Sequence, residues 1–535
     1  MADVTLTIDG QTVTVPQGTT ILQAAKMRLG MELPHYCYHP GLSIAGNCRI
    51  CLVEVEKMPK LVTGCSTQCG EGMVVHTQSA RAKEGRSGVL EIMLTNHPLD
   101  CPICDQAGEC KLQDYYMTVG MHDNHVVFPK VHKKKIVPLP PHIVLDQERC
   151  ILCSRCVRFC QEITKTNELT IAMRGTHAEI EAAGDGTIDN GYAGNLHEIC
   201  PVGALTSTDF RFQARVWWLK SHRSVCPGCS TGCNTWVDDR RGEVKRLRAR
   251  ENAAVNQWWL CDEGRYGYKP INAPDRLKTA RVKTSDATPE VAIGEVWARL
   301  KTIAAKKGGF AGIASAQASN EDLFVFRRLV THMGGIADFR IDDSHGKTQT
   351  RVDELLRRAD KNPNTTGAKL LGLGDGPGVE AILKNAADGK VAALYVLDAD
   401  RFDAAGWTEK LRAVRSKIEF VVMHATRASA ALDLADVVLP AATYAEKDGT
   451  FTNYEGRVQR FWRAIRPVGD ARSDGAWLAA ICAEFDAADA TLAKPAAAFN
   501  AMASATPALG DLRWETIPAE GALIAPGAAA KDKVS

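Results

Sequence analysis

The chain has 535 residues, with 65 Lys plus Arg against 63 Asp plus Glu and a formal net charge of +2. That length accommodates several domains at roughly 100–200 residues each, and the near-balance of charge argues against a nucleic-acid binder working by bulk charge. No run of about 18 apolar residues occurs and the start, "MADVTLTIDG", lacks the pattern of a secretory signal, so neither a transmembrane helix nor an exported disulfide framework is expected.

In chain order, residues 3–15 alternate apolar and polar side chains around Asp9-Gly10, which predicts a β-hairpin. "TTILQAAKMRLG" predicts a helix with Thr19 or Thr20 near its N-cap and Gly30 just past its end. Hairpin, helix and then a cysteine loop is the order of a β-grasp ferredoxin-like domain. Residues 79–120 read as helical with loops. "VHKKKIVPLPPHIV" (131–144) is basic and Pro-rich, and reads as a connector. From about residue 285, apolar runs at 309–315, 391–400, 419–425 and 435–440 alternate with helical segments, predicting an α/β domain with a mostly parallel sheet. "GLGDGPG" (372–378) reads as a loop, since no clear strand and helix flank it as a phosphate loop requires. The Ala-, Pro- and Gly-rich end predicts an ill-ordered tail.

Of 18 cysteines, seventeen lie before residue 262 and Cys482 alone lies after. In a reducing compartment such crowding points to metal ligands. Cys37, Cys48, Cys51 and Cys65 are spaced C-x10-C-x2-C-x13-C, which after a β-grasp start points to a [2Fe–2S] centre; structural zinc is the alternative, though the ten-residue loop is long for a zinc ribbon. "CILCSRCVRFC" carries Cys150, Cys153, Cys156 and Cys160 in the bacterial-ferredoxin spacing, whose fourth cysteine serves a second cluster where there is one. Residues 161–199 hold no cysteine for a second cluster, so the fourth ligand here is expected from "EICPVGAL", at Cys200, with Cys160 left free. Cys226, Cys229, Cys233 and Cys261, in "CPGCSTGC" and "WWLCDEGR", suit a further [4Fe–4S] centre, with zinc again the alternative.

"HPLDCPICDQAGEC" (97–110) is one thiolate short. Cys101, Cys104 and Cys110 need a fourth ligand, and every nearby cysteine has a better assignment. His97 precedes a proline, as ordinary surface histidines also do, but it stands four residues before Cys101 and Pro98 stiffens the turn. It is therefore the expected fourth ligand. A neutral imidazole in place of a thiolate raises a cluster's potential. Cys69, Cys160 and Cys482 remain over, and read as small, partly buried apolar side chains.

"HPLDCPICDQAGECKLQD", "CILCSRCVRFC…EICPVGAL" and the N-terminal cysteine spacing together resemble the large iron–sulfur subunit of NADH:quinone oxidoreductase (respiratory complex I), over residues 1 to about 265. "ADVVLPAATYAEKDGTFTNYEGRVQRFWRAIRP" (435–467) resembles the molybdopterin oxidoreductase fold, which that family carries in degenerate form. The resemblance implies an α+β and α/β multidomain chain: a β-grasp [2Fe–2S] ferredoxin-like domain (1–78), a His/Cys [4Fe–4S] segment (79–118), a bacterial-ferredoxin-like [4Fe–4S] domain (140–215), a further [4Fe–4S] domain (219–275), a truncated molybdopterin-oxidoreductase-like α/β domain (276–485) and a flexible tail (486–535).

It further implies one [2Fe–2S] and three [4Fe–4S] clusters in a relay running from a flavin- and NADH-binding subunit, with its [2Fe–2S] partner, to iron–sulfur subunits nearer quinone. The set at Cys226–Cys261 would lie off the main route. The expected location is the cytoplasmic face of a bacterial inner membrane, peripheral, with membrane contact only through partners. A molybdopterin-dependent formate dehydrogenase-type subunit and the relay subunit of a soluble NAD-linked hydrogenase are the alternatives. Against the first, no cysteine lies between 261 and 482 and only about 270 residues follow residue 265, so no molybdopterin is expected. The second leaves everything after about residue 215 unexplained.

Overall fold

Asp3–Ile8 and Gln11–Pro16 pair antiparallel around Asp9-Gly10. Both turn residues have positive φ, 47° and 81°, as a two-residue turn matched to the strand twist requires. Helix Ile21–Leu29 opens with a capping box between Thr20 and Gln23 and closes on Gly30 at φ 63°, so both ends satisfy their free backbone groups locally. Val74–His76 enters parallel to the first strand and antiparallel to Leu52–Val55, completing a mixed five-stranded sheet. Leu6, Ile8, Val15, Ile21, Leu22, Val53 and Val75 form its core together with Cys51 and Cys65. This is the predicted β-grasp.

The computed structural model describes residues 2–120, 125–306 and 309–524. The chain divides into two units, Met1–Leu219 and Lys220–Ser535. In the first unit, helices Ala80–Leu94 and Lys111–Val119 flank a short turn at Cys101–Ile103. The expected connector at 131–144 is instead partly sheet. Val137–Leu139 and Ile143–Leu145 pair antiparallel, and Leu205–Ser207 adds to the second of them. Leu139, Ile143 and Leu145 are buried, and Pro138 is accommodated because its strand lies at the sheet edge, where a missing N–H breaks no ladder.

The second unit begins with an antiparallel sheet, Lys220–Val225, Asn234–Arg240 and Glu243–Ala249. A seven-stranded sheet follows. Ile336–Asp338, Phe310–Ile313, Ala393–Val396, Phe420–Ala425 and Val437–Pro440 run parallel, and Ala280–Val282 and Ser285–Ala287 close one edge antiparallel. The last four of these parallel strands are buried at every position, as expected of strands covered on both faces.

The expected tail is corrected over 486–524. Helix Pro495–Ala505 presents Phe499, Met502 and Ala503 on one face, and these pack with Leu509, Trp514, Ile524 and Val458. Spaced apolar residues on an Ala-rich helix make a docking stripe, a signal that composition alone hides. The remainder of that segment, 525–535, lies outside the described residues.

Candidate iron–sulfur sites

Cys37, Cys48, Cys51 and Cys65 are all buried. The Cys37 N–H donates to the Cys48 sulfur at 3.4 Å. Thiol hydrogen bonds link Cys37 to Cys48 and to Cys65, and Cys51 to Cys65, so the four sulfurs converge. Those bonds hold Cys37 and Cys51 below the usual thiol range, against burial. The same sharing, with burial, drives Cys48 and Cys65 up. Four inward sulfurs that compete for protons suit a metal that removes the protons altogether.

His97, Cys101 and Cys110 line one cavity of about 370 Å³, beside Leu94, Leu112 and Phe128. Cys104 belongs to the same group, because its charge is felt at Cys110 and Cys101 is felt at both. The His97 Nδ1 is buried without a hydrogen-bond partner among the described residues, a rare state for a polar atom unless it has a ligand. Burial, helped by Arg149, lowers the His97 imidazole to about 4. At neutral pH it is therefore uncharged, the form that ligates metal. A Cβ on Gly203 would come within 2.3 Å of the Cys104 sulfur, so only glycine leaves that sulfur its room.

Cys150, Cys153, Cys156 and Cys200 line a single small cavity walled by Leu145, Ile151, Ile180 and Val202. Leu152 and Ser154 take left-handed φ values of 52° and 60°, which coils the C-x2-C-x2-C run around one point. The Leu152 N–H donates to the Cys150 sulfur at 3.4 Å. Cys160 does not line this cavity; it is fully buried, and burial pushes its thiol up to about 12.

In the second unit, Cys226, Cys229, Cys233 and Cys261 line a corresponding cavity with Gly228, Gly232 and Gly264. Gly228 and Gly264 donate backbone N–H bonds to the Cys226 and Cys261 sulfurs, each at 3.4 Å. A Cβ on Gly264 would lie 2.9 Å from the Cys226 sulfur. In all four sets the donor residues fit an iron–sulfur group; the Cys37 and Cys226 sets are buried throughout, whereas Cys101 of the His97 set is exposed and Cys150 and Cys200 are half-buried.

The remaining cysteines differ among themselves. Cys69 packs in the β-grasp core. Cys482 packs in the α/β core but also stands within 4.8 Å of ligand atoms of His332 and Asp489. The Asp489 carboxylate is already bonded to Arg328 at 2.8 Å and to His332 at 2.7 Å, so the group reads as an ion-pair cluster.

A cleft of about 770 Å³ in the second unit opens at the C-terminal ends of the parallel strands and is lined by Asp398, Asp400, Asp403, Lys361, Arg401 and Arg427, among others. Ligands of open α/β sheets bind at such a place. Its cations are already paired: Lys361 with Glu263, Arg401 with Asp342, Arg427 with Asp275, and Lys447 with Asp322 and Asp474. A pyrophosphate-bearing pterin would find acids and spent cations there, and no cysteine in the lining. The residues do not fit that group.

Sequence reading passed over the arginines between the candidate ligands. Arg155 and Arg158 sit inside "CSRCVRFC" and reach the Cys37 loop; their interleaving with cysteines was the available signal. Arg149, just before Cys150, pairs with Asp146 and Asp100, and Asp100 belongs to the His97–Cys110 stretch.

The chain matches several family descriptions: a 2Fe-2S iron-sulfur cluster binding domain over residues 1–80, the NADH-ubiquinone oxidoreductase-G iron-sulfur binding region over 86–125, the NADH-quinone oxidoreductase subunit 3 ferredoxin-like domain over 140–206, the molybdopterin oxidoreductase Fe4S4 domain over 219–273 and molybdopterin oxidoreductase over 358–484. It is 40% identical over 333 residues to the G subunit of the NADH-quinone oxidoreductase of Streptomyces coelicolor, covering 61% of this chain and 39% of that protein. It is 31% identical over 591 residues to the mitochondrial NADH-ubiquinone oxidoreductase 78 kDa subunit of Candida albicans, covering 89% of this chain and 81% of that protein. The chain spans about half the length, or less, of the bacterial relatives it matches. A solved structure of an NAD+-reducing [NiFe]-hydrogenase in the H2-reduced state aligns at 31% identity over 40% of this chain and 91% of that one, with a TM-score of 0.36.

Proposed function

We propose that this chain, which belongs to the family of NADH-quinone oxidoreductase G subunits and mitochondrial 78 kDa subunits, is an electron-relay subunit of the peripheral arm of such an enzyme. Cys37, Cys48, Cys51 and Cys65 would hold a [2Fe–2S] cluster. His97, Cys101, Cys104 and Cys110, then Cys150, Cys153, Cys156 and Cys200, then Cys226, Cys229, Cys233 and Cys261, would each hold a [4Fe–4S] cluster. When bound, each cluster takes up and passes on one electron, and no substrate bond is made or broken. The observation that carries the reading is the gathering of four separate candidate ligand sets, two of which line closed cavities of their own.

The chain's residues supply placement, insulation and tuning. Apolar walls at Leu145, Ile151, Ile180 and Val202 keep water from one site. Backbone N–H groups and neutral His97 adjust charge at the sulfurs. Neighbour relations support an order. Arg155 and Arg158 link the Cys37 set to the Cys150 set. Gly203, near Cys200, abuts Cys104 of the His97 set. These contacts are compatible with the order Cys37 set, Cys150 set, His97 set that the family resemblance implies. Cys101 is exposed and neighbours the exposed side chains of Leu99 and Ile103, which suits an exit toward a quinone-side iron–sulfur partner. The entry side would face the flavin- and NADH-binding subunit and its [2Fe–2S] partner. Among the described residues no helix is long and apolar enough to cross a membrane, so attachment to the cytoplasmic face of a bacterial inner membrane would run through partners. The Cys226 set would stand aside from the route, and the crowded acids and paired cations of the cleft support a second unit without molybdopterin.

Low-temperature EPR of the reduced chain with iron and zinc quantification tests the reading. One [2Fe–2S] and three [4Fe–4S] signals are expected. Zinc in the Cys226 set, or a missing signal for any of the other three, overturns the corresponding assignment.

A further inference from the structure

Two arginines inside "CILCSRCVRFC" are shared between ligand sets. Arg158 is 8% exposed. Its Nη2 donates to the Cys37 carbonyl at 2.5 Å and to the Cys153 carbonyl at 3.4 Å, one ligand residue of each set. Its Nη1 donates to the Ser43 carbonyl and its Nε to Ser154 Oγ at 3.1 Å. Arg155 donates to the Tyr38 carbonyl at 2.5 Å and to the Ile199 carbonyl at 2.9 Å, the neighbours of Cys37 and Cys200. Its charge acts on Cys153 and Cys200 of one set and on Cys37 and Cys48 of the other.

Every one of these acceptors is a neutral oxygen. Among the described residues, neither guanidinium is in an ion pair. Arg149 is the contrast, since its two ends meet Asp146 and Asp100 at 2.5 and 2.7 Å and its charge is cancelled where it stands. A bridge needed only for shape would not have to be cationic. Glu162 already bonds Ser43, and Asn47 bonds the Leu152 carbonyl, tying the same two segments. An uncancelled charge in a low-dielectric setting acts further and more strongly than one at the surface.

We propose that Arg155 and Arg158 form a shared cationic bridge that raises the reduction potentials of the centres held by the Cys37 set and the Cys150 set together. The inference rests on reading those sets as iron–sulfur sites. Each centre becomes more negative by one electron on reduction, and no bond or proton is exchanged. A fixed positive charge stabilises that reduced state, and the same two charges stand against both sets. Removing one of them therefore lowers both potentials.

The test is an EPR-monitored redox titration of the full chain, with its clusters, in four variants: Arg155→Gln, Arg158→Gln, Arg155→Lys and Arg158→Lys. Glutamine keeps an N–H donor for the carbonyls and removes the charge, whereas lysine keeps the charge. The glutamine variants are expected to titrate at lower potential at both centres, with the His97-site centre unmoved and the lysine variants close to the unaltered chain. Intact spectra at unchanged potentials, or a shift at one centre alone, overturn the bridge. Loss of iron from both sites in the glutamine and lysine variants alike also overturns it, in favour of a purely structural role. If the unaltered chain lacks these two spectra, the site assignment itself has failed, which separates that failure from a failure of the bridge.

Discussion

Gly203 faces the sulfur of Cys104 so closely that a Cβ on the glycine would lie 2.3 Å away. The two residues are 99 positions apart, 203 less 104. The glycine belongs to the segment that supplies Cys200, and the cysteine belongs to the His97 set. Gly203→Ala should therefore abolish the EPR signal of the His97-site centre while the signal from the Cys37 set persists. An alanine variant with all signals intact would show that Cys104 has room to turn aside and that the cradle is not needed.

His97 should act through its charge. His97→Cys replaces a neutral ligand with an anionic one, and the cluster should survive with a lowered potential. His97→Ala should lose or grossly alter that centre's spectrum. An unchanged spectrum and potential in the alanine variant would remove His97 from the ligand set.

Glu321 should make the second unit less stable as pH rises. Burial lifts its carboxyl from 4.5 to about 7, although the Thr450 hydroxyl and N–H both donate to it. The folded state favours the protonated acid, so its stabilising effect is full below about pH 4.5, fades as pH rises toward 7 and is gone above that. The span corresponds to roughly 3 kcal/mol. Hydrogen exchange in strand Gly449–Thr452 should speed up between pH 5 and pH 8 beyond its intrinsic dependence. Glu321→Gln should flatten that trend.

Lys447 is buried between Asp322 at 2.6 Å and Asp474 at 3.4 Å, and Asp474 also bonds His424, which in turn meets the Tyr395 hydroxyl. Lys447→Met would strand two carboxylates. Breaking one partner of a buried pair costs about 3–5 kcal/mol, so the second unit should unfold at markedly lower urea. A loss under about 1 kcal/mol would mean the acids simply take up protons.

Gly264→Ala puts a Cβ 2.9 Å from the Cys226 sulfur. Metal content at the Cys226 set should fall while the three sets of the first unit keep theirs, because that site is enclosed by its own loop. Equal loss at all sites would point to misfolding instead.

Most of the grouping of the cysteines was legible in the sequence, because short Cys spacings bring side chains together locally. C-x2-C-x2-C between Cys150 and Cys156 commits a short loop to one point, and the Cys-Pro at Cys200-Pro201 is the distant cysteine that joins the same cavity. The Asp9-Gly10 hairpin, the Thr20 cap and the Gly30 stop were legible for the same reason, since each depends on a few adjacent residues. The strand at Val137–Leu139 was not, because Pro138 and the lysines and prolines that flank it look like a linker until an edge position makes Pro138 harmless. Nor was the packing of Phe499, Met502 and Trp514, because an Ala-rich composition conceals a helical stripe.

Spacing and side-chain chemistry alone were enough to name the candidate ligands and to divide them into sets. What stands between the sets became visible in the folded chain alone. Arg158 meets Cys37 across 121 residues, and Gly203 meets Cys104 across 99. Such contacts arise from packing of segments with no shared local pattern, and the charge and clearance at each site are properties of that packing.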